Sequence, residues 1–128
     1  MRAGWTRIFI ESCGRNPKRL RIAATEILVL SVAFPLAALA ALALGTVGSF
    51  RGDEHATTLA ALGGGAIVSL LAAVGLIHQR QRAPLLGAFA HPLAGACIAA
   101  WLLDGARMLV RRTPIRWGGK AYILEPRG

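Results

Sequence analysis

Few residues of this chain have the side-chain chemistry of a reactive site, and the first group is a short polar stretch. Asp53, Glu54 and His55 follow one another there. Carboxylates and imidazoles are zinc ligands, so a metal site is one interpretation. Adjacent side chains on an extended segment point apart, however, and the sequence places no further ligand nearby. We therefore favour a solvated turn.

The second group occupies roughly the last third of the chain, from His91 onward. His91-Pro92 opens it, and that histidine is interpreted as structural or interfacial, with a mechanistic role as the alternative. Asp104 and Arg107 are three residues apart and are predicted to pair at a membrane edge. A basic and aromatic tail follows. Its candidate contacts to substrate or lipid headgroups are Arg116, Trp117, Gly119, Lys120 and Tyr122.

The tail has the composition of a membrane-edge segment. Trp117 and Tyr122 flank a predicted Gly-Gly turn, and Arg116 and Lys120 alternate with them. Aromatic rings with polar edges prefer the headgroup zone, and cations there bind phosphate. A simple surface anchor and a contact to a substrate diphosphate or lipid headgroup are both consistent with this pattern.

The elements that must position these residues are apolar. Hydrophobic residues make up 55% of the 128 residues and charged residues only 16%. Residues 27–50, 55–79 and 83–103 contain no Asp, Glu, Lys or Arg. About 20 helical residues cross a hydrocarbon core of about 30 Å, and backbone groups in that core must bond internally. The sequence therefore predicts an all-α membrane protein with about three transmembrane helices.

We expect one membrane domain over residues 1–128. Its parts are an amphipathic interfacial helix, three transmembrane helices and the basic-aromatic tail, at residues 1–21, 22–50, 56–78, 84–110 and 111–128. Helical spacing places Trp5, Ile8, Phe9 and Ser12 on one face of the first helix. Trp5 and Phe9 are the predicted interfacial anchors.

Proline and small residues punctuate the apolar helices. Asn16-Pro17 is typical of a helix cap followed by a first-turn proline. Pro35 predicts a kink because it removes a backbone hydrogen bond. Ala61 and Gly65 fit a pattern of small residues four apart, which lets helices approach closely.

The positive charges do not fit three crossings. The net charge is +9, and the basic residues flank the apolar runs, which indicates anionic lipid rather than nucleic acid as the partner. Six Lys or Arg precede the first run, one lies in the first loop, two in the second and six from Arg107 onward. The positive-inside rule places the N-terminus, second loop and tail in the cytoplasm of a bacterial-type inner membrane. Three crossings would place the tail outside. Either the third run is re-entrant or interfacial, which the His91-Pro92 break would suit, or the first hairpin sets the orientation against the charges of the tail. The length of the third run favours three spans.

A family resemblance follows from the pattern His91-Pro92-Leu93-x-Gly95, an Asp near a helix exit, and Trp117-x-Gly119-Lys120-x-Tyr122. This resembles the C-terminal end of membrane-bound family-2 glycosyltransferases, including ceramide glucosyltransferase-like and hopanoid- or carotenoid-associated enzymes. Lys120 stands where arginine is usual in that family. The stretch Gly4-Trp5-Thr6-Arg7 also looks like the segment that leads from the catalytic domain into the membrane in such proteins.

The resemblance implies a membrane-anchoring domain of a lipid-acting glycosyltransferase. It covers only the membrane portion of that family. The nucleotide-binding domain, the Asp-x-Asp metal site, the catalytic Asp and the Gln-x-x-Arg-Trp motif have no counterpart among these residues, which include six carboxylates in all. We therefore expect no catalysis by this chain alone and no cofactor within it, since a divalent metal would belong to the catalytic domain. A separate family-2 catalytic polypeptide is the expected partner beside the bilayer. The alternative is a small non-enzymatic membrane scaffold or accessory subunit.

Overall fold

The computed structural model describes residues 2–127, without the side chains of residues 2, 3, 85, 86, 116 and 117. Its helices are α1 (Arg2–Ser12), α2 (Pro17–Leu28), α3 (Phe34–Phe50), α4 (Ala56–Arg80) and α5 (His91–Arg111). A π-helical turn (Val29–Ala33) joins α2 to α3, and a 3-10 segment (Leu85–Ala90) precedes α5. Two short strands, β1 (Ile115–Trp117) and β2 (Lys120–Tyr122), form the tail.

The all-α membrane prediction is confirmed. Three helical runs are long and apolar enough to cross a membrane, and they are Pro17–Phe50, Ala56–Arg80 and Gly87–Arg111. Many of their large apolar side chains remain exposed, such as Leu30, Leu44 and Val68 at 65–68%. Such a surface suits lipid contact, because hydrocarbon is as apolar as these side chains. The first run begins at Pro17, and α5 begins at His91 after the 3-10 segment.

The first apolar run begins with the predicted cap. The Asn16 side-chain oxygen accepts hydrogen bonds from the backbone N–H groups of Lys18 and Arg19, at 2.9 and 3.1 Å. These bonds satisfy two donors that have no partner within the helix. Further along, the π-helical turn ends at Ala33, two residues before Pro35, whose ring lacks an N–H and crowds the carbonyl four residues back, at Ser31 within that turn. The irregularity predicted from Pro35 is thus a widened turn on its N-terminal side.

The chain divides into two compact units. The terminal unit contains Met1–Leu28 and Gly95–Gly128, and the hairpin unit contains Val29–Ala94. The terminal unit has an apolar core to which α1, α2, α5 and the tail all contribute. Its buried members include Ile10, Leu20, Ala99, Leu102, Ala106, Leu109, Ile115 and Leu124.

The hairpin unit is held by close backbone packing of α3 on α4. Gly45 and Gly63 are buried, and a Cβ added at either would collide with backbone atoms of the opposite helix. The predicted small-residue pair, Ala61 and Gly65, does not form this packing, since Gly65 has no neighbour within 4 Å of its Cβ position. The true contact lies about half a turn away on Ala56, Ala60 and Gly63, because these residues share the face toward α3.

Candidate functional site

The candidate site is built around α1, which packs on protein through a face other than the predicted membrane-facing one. Thr6 and Ile10 are buried at 1% and 0% exposure, whereas Trp5 and Ile8 are about half exposed. Thr6 and Ile10 pack against Gly105 of α5, where an added Cβ would lie 3.0 Å from an Ile10 side-chain carbon. The helix therefore lies on protein through Thr6 and Ile10. Trp5 stays half exposed outside this contact. The interfacial-anchor role of Trp5 and Phe9 therefore stays a prediction.

The exposed side of α1 carries an aromatic cluster, formed by Trp5, Phe9 and Trp101. The ring centroids of Trp5 and Phe9 are 6.2 Å apart, and each lies 6.5 Å from that of Trp101. The two indole planes are within 12° of parallel. Tryptophan at a protein surface favours the boundary between headgroups and acyl chains. Trp101 adds a third ring, from α5, to the two predicted anchors.

The tail forms a β-hairpin with the predicted Gly-Gly turn. Gly118 and Gly119 both have positive φ, at 57° and 75°, which is the conformation of a tight type I′ turn. Strand pairing sets Trp117 opposite Lys120 and Ile115 opposite Tyr122. The strands themselves were not predicted, because three residues on each side are too few to show an alternating pattern.

Two apolar side chains fix the hairpin to the terminal unit. Ile115 and Leu124 are 3% and 7% exposed and belong to the core around Ile10 and Leu109. Lys120 and Gly119 stay exposed at the turn, and Tyr122 is half-buried. Arg116 lies in β1 opposite Ala121, but its side chain and that of Trp117 lie outside the described residues.

Polar contacts join α1 directly to the tail. The guanidinium carbon of Arg7 lies 4.8 Å from the centroid of the Tyr122 ring, within the range of a cation–π interaction. The backbone N–H of Arg127 donates a hydrogen bond of 3.0 Å to the carbonyl oxygen of Arg15. These contacts connect residues more than 100 positions apart in sequence. No sequence pattern signals them.

An ion pair ends α1. The Arg15 guanidinium donates hydrogen bonds of 3.0 and 2.9 Å to the two carboxylate oxygens of Glu11. These bonds hold the pKa of the Glu11 carboxyl below its ordinary value, and they raise that of Arg15. Beyond the end of α1 at Ser12, Gly14 and Arg15 are both left-handed, with φ of 65° and 56°, and this turn directs the chain into Asn16.

Within α5, the predicted pair is present: an Arg107 nitrogen lies 3.6 Å from an Asp104 oxygen.

In the hairpin unit, the Ser31 hydroxyl lies 3.3 Å from Nε2 of His91, and Ser31 is 6% exposed. This contact gives His91 a polar partner in an apolar part of the chain, in agreement with a structural role.

Asp53 and His55 form a local turn. The backbone N–H of His55 donates to an Asp53 carboxylate oxygen at 3.0 Å. This bond matches the predicted solvated turn. Among the described residues, no three His, Cys, Asp or Glu side chains are grouped so as to hold a metal ion.

Comparison with known proteins identifies no relative of this chain. No protein-family model, curated protein or solved structure matches the chain.

Proposed function

We propose that the chain is the membrane-anchoring domain of a lipid-acting glycosyltransferase, with the nucleotide-sugar chemistry supplied by residues outside this sequence. One observation carries the proposal. The two segments that resemble that family, around Trp5 and from Trp117 to Tyr122, belong to one compact unit. The contact between Arg7 and Tyr122 joins them directly.

The arrangement suits an anchor that presents a lipid headgroup to a catalytic domain. The aromatic cluster fixes the depth of the terminal unit at the membrane boundary. Lys120 lies at an exposed turn, and an exposed ammonium there meets phosphate oxygens of a headgroup or a diphosphate. The proposed location is a bacterial-type inner membrane with the N-terminus in the cytoplasm, where nucleotide sugars are available.

Co-expression tests the proposal. The reading frame directly upstream would be expressed with this chain in membranes, with one tag on each polypeptide. We expect co-purification in mild detergent and sugar transfer to lipid only when both are present. If that frame encodes no family-2 catalytic domain and the two polypeptides do not co-purify, the split-enzyme proposal fails.

A matched pair of variants then tests the tail. Lys120→Ala removes one exposed cation at the hairpin turn, and Arg51→Ala removes one from the first loop. We expect Lys120→Ala to raise the KM for the lipid or sugar donor, with Arg51→Ala unchanged. Equal effects would show that Lys120 contributes only general surface charge.

The second candidate is a non-enzymatic scaffold that assembles through helix packing. Its support is the outer face of α4, where Ala61 and Gly65 are exposed and the Cβ position of Gly65 is open. Small residues four apart allow another helix to approach closely. Gly65→Leu should then convert an oligomer into a monomer in detergent, whereas Ile77→Leu, at an exposed position on a different face of the same helix, should not. A monomer in the unsubstituted protein would rule this candidate out.

A further inference from the structure

We infer that the third apolar run, Gly87–Arg111, is re-entrant, so that both of its ends lie on the membrane side from which α2 starts. This inference concerns topology and does not rest on the proposed glycosyltransferase role. Contacts within the terminal unit and contacts within the hairpin unit together support it.

The terminal unit packs the start of the first apolar run against the end of the third. Leu20 lies in the first turn of α2, and Leu109 lies in the last turn of α5. Both are fully buried in one core together with Ile115 of the tail. The backbone hydrogen bond from Arg127 to Arg15 joins the chain after α5 to the chain just before α2. The chain thus leaves the third run on the side where it begins the first.

The hairpin unit accounts for two crossings. α3 and α4 pack with their backbones in contact, with Gly45 against Ala56 and Ala60 and Gly63 against Ala38. That order is antiparallel, because residues late in α3 meet residues early in α4. One crossing outward and one back return the chain to its starting side. A third complete crossing would then separate Arg127 from Arg15 by a bilayer, and the 3.0 Å bond between them excludes this.

The start of the third run has the features of a re-entrant turn. The 3-10 segment is bounded by Pro84 and Pro92, and its Phe89 lines an apolar crevice of about 230 Å³ with Pro35, Leu39 and Leu71. His91 begins α5 beside Ser31. Irregular backbone at membrane depth is tolerated only where protein or a cavity satisfies it, and the helices of this unit supply that environment.

The re-entrant path also resolves the charge distribution. The N-terminal flank, the second loop and the tail carry six, two and six Lys or Arg, and the first loop carries one. With two crossings, the three more basic segments share one side. The positive-inside rule is then obeyed by every segment.

Accessibility of single cysteines tests the inference on the full chain. In a Cys13→Ser, Cys97→Ser background, one reporter would be placed at a time by Lys18→Cys, Arg51→Cys, Gln81→Cys or Lys120→Cys, all at exposed positions. A membrane-impermeant maleimide would be applied to right-side-out and to inverted vesicles. Labelling after detergent would confirm that each thiol is reactive.

We expect the reporters at 18, 81 and 120 to be labelled only in vesicles of one orientation, and the reporter at 51 only in the other. If the reporter at 120 is labelled in the same vesicle orientation as the reporter at 51, and the reporter at 18 in the other orientation, the chain crosses three times and the inference is overturned. Labelling of 120 from both sides would overturn it as well, because a re-entrant segment gives the tail one fixed side.

Discussion

Adding one methyl group at Gly63 should weaken the α3–α4 hairpin, and the same change at Gly65 should not. The Cβ of Gly63→Ala would lie 2.5 Å from the backbone nitrogen of Leu42 and 2.7 Å from the carbonyl oxygen of Ala38. Carbon atoms at optimal packing are about 3.5–4.0 Å apart. Because the colliding atoms are backbone, no side-chain rotation relieves the clash, and the two helices must separate.

The pair of variants isolates the cost of that separation. Both replace glycine by alanine in the interior of α4, so the gain in helix propensity, up to about 1 kcal/mol, is common to the two. At Gly65 an added Cβ meets nothing within 4 Å. The difference in free energy of unfolding should therefore equal the overpacking cost, about 1–3 kcal/mol in favour of Gly65→Ala.

Titration with SDS in mixed micelles, followed by far-UV circular dichroism, would measure this difference. A local readout is available as well, since the hydroxyl oxygens of Ser49 and Thr57 lie 3.3 Å apart across the hairpin. Cysteines at those two positions should form a disulfide readily in the Gly65→Ala background and more slowly with Gly63→Ala. Coincident titrations and equal disulfide rates would refute the backbone packing described here.

Three further changes test the terminal unit. Leu124→Ala should lower the free energy of unfolding by about 2–5 kcal/mol because the side chain is buried, and Ile123→Ala, at 62% exposure, should change it little in the same titration. Tyr122→Ala should cost about 0.5–1 kcal/mol through loss of the ring over Arg7, with Tyr122→Phe close to the unsubstituted protein; equal losses in both would point instead to the hydroxyl. The lowered pKa of Glu11 means that its ion pair stabilises the fold at neutral pH and is lost as pH falls through the folded-state pKa, so Glu11→Gln should be less stable at pH 7 and match the unsubstituted protein in acid. A constant difference between the two across that range would show that the charge is not responsible.

Local features of the fold were predictable because their causes are local. Long runs without charge predict helices, since backbone groups in hydrocarbon must bond within their own segment. The Asn16 cap, the glycine turn at Gly118 and Gly119, and the ion pair between Asp104 and Arg107 each depend on residues a few positions apart. Sequence spacing alone therefore contains the information.

Helix faces were predicted less well because membrane packing selects for small residues. In α1 the spacing predicts the membrane-facing Trp5 and Phe9, but it does not indicate that Thr6 and Ile10 pack against Gly105. In α4 several small residues compete, and only the partner helix decides that Gly63 rather than Gly65 is buried. Such choices depend on the opposite surface, which a single helix does not specify.

The contact between α1 and the tail was beyond sequence reasoning for a different reason. Arg7 and Tyr122 are brought together by a core whose members come from four separate elements. The resemblance suggested a membrane-edge role for both segments but gave no reason for them to touch. Their contact is also what limits the topology.

The central claim is that the two ends of the chain form one unit on one side of the membrane. Cross-linking in native membranes tests it most directly. Cys13 lies two residues before the hydrogen-bonded Arg15, so a Cys97→Ser chain with Arg127→Cys would hold its only two thiols near each other. We expect a short bis-maleimide to link Cys13 to position 127 within one chain, as read by mass spectrometry of the joined peptides, and to give no link in a control with Arg51→Cys instead. A link to position 51, or none to position 127 while both thiols react singly, would contradict the claim.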